Sequence, residues 1–325
     1  MHDSVTDWLL RSDPWTAYNT RIHLLGQNIE DAAVKKARQD MLAHPQIVAI
    51  IDSFANWDTE VVSNHKNAGL LIHKLAFLAD IGLSTADNAL APIIETVLQR
   101  TDEYGMIRVP VNIPTHFGGS GKTEWGWALC DTPTILYALA KFGLAEHPSI
   151  KAEASYLASL IGENGWRCTV SPELGKFRGP GKKDDPCPYA TLISTKALAR
   201  LPGWHDSAPT RIGAECLLRL WEHSREQHPY LFYMGTDFRK LKAPSLWYDI
   251  VHVTEVLSQF RWLKDDPRLN EMIAHILDQA DNEGRFTPQS EWKAWKGWDF
   301  AQKKAPSAWL TYHILRIAQQ AEVYR

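Results

Sequence analysis

The 325-residue sequence predicts an all-α fold, an (α/α)6 toroid of about six helical hairpins with long loops at one end. Three observations carry that expectation. A motif recurs about every 60 residues, both halves of each repeat show helical apolar spacing, and a polar loop of about 20 residues joins the halves.

The repeat is anchored by glycine. The segments "PIIETVLQRTDEYGMI", "EASYLASLIGENGWRC" and "EMIAHILDQADNEGRF" each run a helix into an acidic residue, a glycine and a bulky residue, which places Gly105, Gly165 and Gly284. The second gap is about twice the first, so a degenerate copy belongs between the last two. "TRIGAECLLRLWEHSREQHPY" keeps the amphipathic helix there without the glycine. After each copy and its loop comes a second helix: "CDTPTILYALAKFGL", "CPYATLISTKALARL", "SLWYDIVHVTEVLSQF" and "SAWLTYHILRIAQQ". Going backwards, "HKNAGLLIHKLAFLADIGL" and "DPWTAYNTRIHLLG" take the matching places, so six inner helices are expected near 14, 67, 131, 187, 247 and 308.

The remaining runs, such as "HLLGQNIEDAAVKKARQDMLAH" and "TADNALAPIIETVLQR", have apolar spacing of three and four with glycine or proline at their ends. Such hairpins bury their apolar faces only against neighbours. The recurring loops are long for an open solenoid and read as functional. Residues 1–325 are therefore expected to form a single domain, with repeats clearest over 85–325 and degenerate over 1–84.

Composition narrows the function classes. The net charge is −3 and the pI about 6.5, which gives no nucleic-acid signature. No stretch approaches the roughly eighteen apolar residues needed to span a bilayer, so membrane insertion is not expected. The N-terminus "MHDSVTDWLLRSDPW" shows no signal-peptide pattern, and four scattered cysteines make no disulfide framework, so a reducing cytoplasm is the expected compartment. Oligomeric state is left open.

On these segments the chain resembles the terpenoid cyclase and protein prenyltransferase superfamily of α/α toroids. "YLASLIGENGW" looks like a degenerate form of the squalene-cyclase repeat, with Glu163 where glutamine is typical and Trp166 closing it. "DDPCPYATLISTKAL" is similar to the helix start in prenyltransferase β subunits where an aspartate and a cysteine bind zinc, and Asp185 and Cys187 match that pattern. The family's third ligand is a histidine after tyrosine on the next inner helix, and here Tyr248 is followed by Asp249, with His252 one turn on. No cofactor is expected. If zinc were bound, the resemblance implies Asp185, Cys187 and His252 as its ligands. The Asp-x-Asp-Asp acid motif of squalene cyclases is absent, Asp184 and Asp185 supplying only its final pair.

Inner-helix N-termini expose unpaired N–H groups and favour anions. The loops before them add Lys122, Lys182 and Lys183, Lys242, and Lys303 and Lys304, together with Arg178 and Arg239. Many of the 14 tryptophans fall in the same places. The expectation is an aromatic cavity for a small molecule with an apolar body and an anionic head, in a prenyltransferase-like or terpenoid-cyclase-like enzyme. Asp131, Asp185 and Asp249, at matching places on three inner helices, are the candidate catalytic carboxylates, and His252 and His313 the candidate proton relays. Trp125, Trp127, Trp247, Tyr248, Trp298, Trp309, Tyr312, Lys122, Lys183, Lys242 and Lys304 are the candidate substrate-binding residues. Two alternatives stand beside this: a toroid that binds a ligand or protein without turnover, and an α/α-barrel glycosidase or lyase using Asp131, Glu124 and Asp249.

Asp13, Asp131 and Asp185 also sit where helix N-caps belong. Cys130 and Cys216 read as core thiols. "HFGGSGKT" ends like a phosphate-binding loop but lacks the first glycine, so it is set aside.

Overall fold

A computed structural model of the chain describes residues 3–322 except 178, 180 and 183. The fold is predominantly helical, with thirteen α-helices and two short β-hairpins among the described residues. The helices are α1 (Asp3–Leu10), α2 (Pro14–Asn19), α3 (Ala32–Leu42), α4 (Pro45–Ser53), α5 (Leu71–Asp80), α6 (Ala91–Leu98) and α7 (Thr132–Leu139). They continue with α8 (Pro148–Ser159), α9 (Pro188–Leu198), α10 (Ala208–Glu222), α11 (Ile250–Leu257), α12 (Pro267–Leu277) and α13 (Ala308–Gln320). Helices α2, α5, α7, α9, α11 and α13 occupy the six positions expected for inner helices.

Inner and outer helices differ in how much of their circumference is buried. Every residue of α7 and of α9 is buried, whereas α8 buries only Ile150, Glu153, Ala154, Leu157 and Ala158. A helix buried all round is enclosed by its neighbours, and one with a single buried stripe covers them from outside. Outer helices start on explicit signals. His147 precedes Pro148 and accepts the Ser149 N–H, Ser207 accepts the Thr210 N–H, and Asp266 precedes Pro267 and accepts the Arg268 N–H.

Gly105, Gly165 and Gly284 adopt φ of 82°, 125° and 73°, a region in which a Cβ is strained. They turn the chain after the outer helices α6, α8 and α12, which is why the repeat shows as glycine in the sequence.

The chain divides into two compact units, residues 51–233 and residues 1–50 with 234–325. In unit 51–233, α7 packs between α5 and α9, with α8 against α7 and α9 and α10 against α9. Its inner helices carry one buried polar network. Lys141 Nζ lies 2.7 Å from Asp80, the Tyr137 hydroxyl donates to Asp80 at 2.5 Å, and Lys196 Nζ stands 4.6 Å over the Tyr137 ring. Strands β1 (Val109–Asn112) and β2 (Thr123–Gly126) pair antiparallel, as do β3 (Ile161–Gly162) and β4 (Gly165–Trp166). "HFGGSGKT" joins β1 to β2. A strand, not a helix, follows it, so it is a hairpin loop.

In the other unit α13 packs against α1, α2, α11 and α12, so the first and last hairpins of the chain meet. Trp15, fully buried, lies 4.8 Å from Trp298, which in turn contacts Trp295 and Phe300 at 5.4 and 5.5 Å. Tryptophan here fastens hairpins to one another.

The expected caps at Asp13, Asp131 and Asp185 do not form. Asp13 and Asp131 make no side-chain bond to their helices, and Cys187 holds the cap position of α9. Asp249 is a cap, accepting the His252 N–H at 3.0 Å. Among the described residues no helix is long and apolar enough to cross a membrane.

Candidate functional site

The loops that precede α5, α7 and α9 are knitted together by backbone hydrogen bonds. Val62 N–H donates to Pro110 O at 2.8 Å and Asn112 N–H to Val62 O at 3.1 Å. Ser171 N–H donates to Trp127 O at 2.8 Å, Lys176 N–H to Gly118 O at 3.0 Å, and Cys187 N–H to Trp166 O at 2.7 Å. These loops enclose a cleft of about 580 Å³. Val62, Val111, Ile113, Pro114, Phe117 and Phe177 make its lining mainly apolar, and His65, His116 and Lys176 supply its ionisable groups.

His65 is held from behind. Its Nδ1 lies 2.8 and 2.9 Å from the two carboxylate oxygens of Asp131, which is fully buried, while 24% of the imidazole remains exposed. A carboxylate only accepts, so Nδ1 carries the proton and Nε2 is left as the reactive nitrogen. His73, buried one turn into α5, donates its Nε2–H to the His65 carbonyl at 3.0 Å and fixes the backbone there. Burial lowers the pKa of His73, keeping it neutral. For His65 burial also pulls down, but the Asp131 charge, its hydrogen bond and the nearby Cys187 outweigh it and hold the imidazole above its ordinary value.

Three buried free cysteines, Cys130, Cys168 and Cys187, lie beside this pair. Cys187, at the N-terminus of α9, is held well below the usual thiol range by the Cys130 and Cys168 thiols and by the Ala190 and Tyr189 amides. Neighbouring thiols and burial push Cys130 up. Cys216 is pushed up to about 12 by burial.

Of the residues singled out from the sequence, Asp131 belongs to this pair and Asp185 lies in the same unit. Asp185 is half-buried and accepts the Lys182 N–H at 3.1 Å. Among the described residues no group of three histidine, cysteine or acidic side chains is arranged to hold a metal ion. Trp125 lies under the Arg100 guanidinium at 4.7 Å, and Trp127 donates its indole N–H to Asp102 at 2.9 Å. Lys122 is exposed. Lys183 lies outside the described residues.

The others lie in the other unit. Burial raises the Asp249 carboxyl to about 7, and its Oδ2 meets no partner among the described residues. His252 Nδ1–H donates to Trp247 O at 2.8 Å. His313 Nε2 lies 3.3 Å from Glu255 and 3.4 Å from Ser245 Oγ. Trp309 and Tyr312 pack at 5.2 Å, and Tyr248 against Phe238 at 5.1 Å. Trp298 belongs to the Trp15 cluster. Lys242 is buried and pairs with Asp237 at 2.9 Å, and Lys304 is exposed.

His65, His116 and Lys176 were missed in the sequence. The available signal was position, since each lies in a loop leading to an inner helix. No family model matches the chain, and no curated protein matches it. Solved structures give distant likenesses. A UGL variant with dGlcA-Glc-Rha-Glc is 12% identical with a TM-score of 0.46, covering 95% of this chain and 86% of its own. A possible member of the GH105 family from Salmonella enterica serovar Paratyphi A is 14% identical with a TM-score of 0.46, covering 99% and 83%. A variant of the type II terpene cyclase MstE from Scytonema, in complex with geranylgeranyl dihydroxybenzoate, is 12% identical with a TM-score of 0.43, covering 95% and 87%.

Proposed function

We propose that the protein is an enzyme acting on a mainly apolar, isoprenoid-type substrate with an anionic head, bound in the cleft of unit 51–233, with His65 as the proton-transfer group. The observation that carries this reading is the His65–Asp131 pair set in a mainly apolar cleft. A buried carboxylate on Nδ1 fixes the tautomer and stabilises the imidazolium, so Nε2 gives up or takes a proton near neutral pH. Lys176 and His116 would neutralise the head group. The Phe117 and Phe177 rings would face positive charge developing on the apolar body, at about 1 to 2 kcal/mol each when desolvated.

A second reading, a lyase acting on an acidic saccharide, draws on the same pair, because His65 suits abstraction of a proton beside a carboxylate that Lys176 neutralises. Two-carboxylate glycosidase chemistry gains no support here, since no carboxylate lines the cleft among its described residues. Calorimetric titration with geranylgeranyl diphosphate and, separately, with a saturated uronic-acid oligosaccharide distinguishes the two. The proposal expects saturable binding of the diphosphate, weakened by Lys176→Ala. With a turned-over substrate, His65→Ala should lower kcat by about 100-fold or more. Binding of neither probe, or full activity in His65→Ala, would refute the reading.

A further inference from the structure

We propose that Cys187 is a hydroperoxide-sensitive thiol that closes a disulfide with one of its two neighbours, Cys130 or Cys168, at the margin of the cleft. Backbone pairing gathers the three cysteines. Leu129 N–H donates to Thr169 O at 3.0 Å, Cys187 N–H donates to Trp166 O at 2.7 Å, and Ala128 bridges Val170. Ala128 and Val170 face each other, and Cys130 and Cys168 lie two residues from them on the same paired segments, while each of the three thiols perturbs the ionisation of the other two. The cluster is buried without being sealed, with Cys130 and Cys168 each 7% exposed and Cys187 3%. Gly179, part of the cleft lining, stands directly against Cys168. A Cβ at Gly179 would lie 3.3 Å from the Cys168 Cβ.

The three thiols are not equivalent. Cys187 stands at the N-terminus of the 11-residue helix α9, where the helix dipole and neighbouring donors favour thiolate, the nucleophilic form. Its sulfur attacks one peroxide oxygen, the O–O bond breaks, and hydroxide leaves, giving a sulfenic acid. The neighbouring cysteine, losing its proton, attacks that sulfur. The S–O bond breaks, the second oxygen leaves as water, and two thiols have supplied the two electrons that reduce one hydroperoxide.

The consequence reaches the cleft. His65 is faced by Asp131, Cys187 and His73, and losing the Cys187 charge removes one of the groups that keep the imidazole protonated. This consequence, though not the disulfide itself, rests on reading His65 as the proton-transfer group.

The test treats the purified full-length chain with hydrogen peroxide, counts thiols by alkylation and intact mass, and maps disulfides by peptide mass spectrometry. The expected result is loss of two of the four thiols, in one disulfide containing Cys187, reversed by dithiothreitol, with Cys216 still free. Cys216→Ser should behave as wild type, and Cys187→Ser should form no disulfide. Should Cys187→Ser fold poorly, iodoacetamide labelling of wild type across pH replaces it, with Cys187 expected to react at the lowest pH of the four. No thiol loss, a disulfide lacking Cys187, reaction falling on Cys216, or a bound metal ion that protects the cluster would each overturn the proposal. None of these measurements uses a substrate, so their failure leaves the function of the cleft untouched. A shift of the His65 imidazole titration to lower pH on oxidation, read by NMR, tests the coupling by itself.

Discussion

Asp131, fully buried immediately ahead of α7, places both carboxylate oxygens within 2.9 Å of His65 Nδ1 in the loop ahead of α5. The residue stands where a helix cap belongs and gives its charge to an imidazole instead. The first expectation follows from that choice. Asp131→Asn keeps the shape and removes the charge, so the His65 pKa should fall. The raised folded pKa means that the pair's contribution is fully present below the unfolded value and is lost as pH rises through the folded one, a slope the variant should lack. A destabilisation of about 1.5 to 3 kcal/mol below neutral pH is expected for a charged hydrogen bond lost. Imidazole NMR and denaturation at pH 6 and pH 9 measure both. An unmoved His65 titration would rule out the pairing as its cause.

Asp249 makes the opposite kind of test. Its carboxyl is raised to about 7 by burial, so its neutral form stabilises the fold at low pH, and that stability drains away between the unfolded carboxylate range and about 7. Asparagine still caps α11 through an oxygen. Asp249→Asn should therefore be near neutral in effect at pH 4 and stabilising at pH 8, on the order of 1 to 3 kcal/mol. Urea denaturation at the two values checks the crossover.

Asp80 joins Lys141 and Tyr137 in a largely buried network. Asp80→Ala strands an ammonium and a hydroxyl, and a loss of about 3 kcal/mol or more is expected. Asp80→Asn retains an acceptor for Tyr137 and should recover part of it. Equal effects from the two variants would show that packing, not the polar network, sets the cost.

Gly165 and Gly26 separate steric from conformational cost. Gly165 has φ 125° and an added Cβ would lie 2.8 Å from Thr191 Oγ1, whereas Gly26, at φ 62°, has nothing within 4 Å. Gly26→Ala should cost about 1 kcal/mol, and Gly165→Ala about 1 to 3 kcal/mol more. Thermal melts of the two variants side by side decide it.

The local pattern by itself determined the helices. Period, caps and glycine turns are short-range properties, so α2, α7, α9 and α13 begin within a residue or so of their expected places and the repeat glycines hold left-handed turns. Two helices shifted. α5 begins at Leu71 and α11 at Ile250, because the chain before them pairs elsewhere. Val62 joins β1, and Asp249 is drawn into its cap. Only the tertiary structure decided which polar residues meet. His65 and Asp131 are 66 residues apart, and their apposition depends on the packing of α5 beside α7 and on loops joined through backbone hydrogen bonds. Backbone amides and carbonyls are the same at every position, so a sequence carries no trace of which loop they will join. For the same reason Cys130, read as an isolated core thiol, gained its chemical neighbours Cys168 and Cys187 only when the loops ahead of α7 and α9 closed on each other.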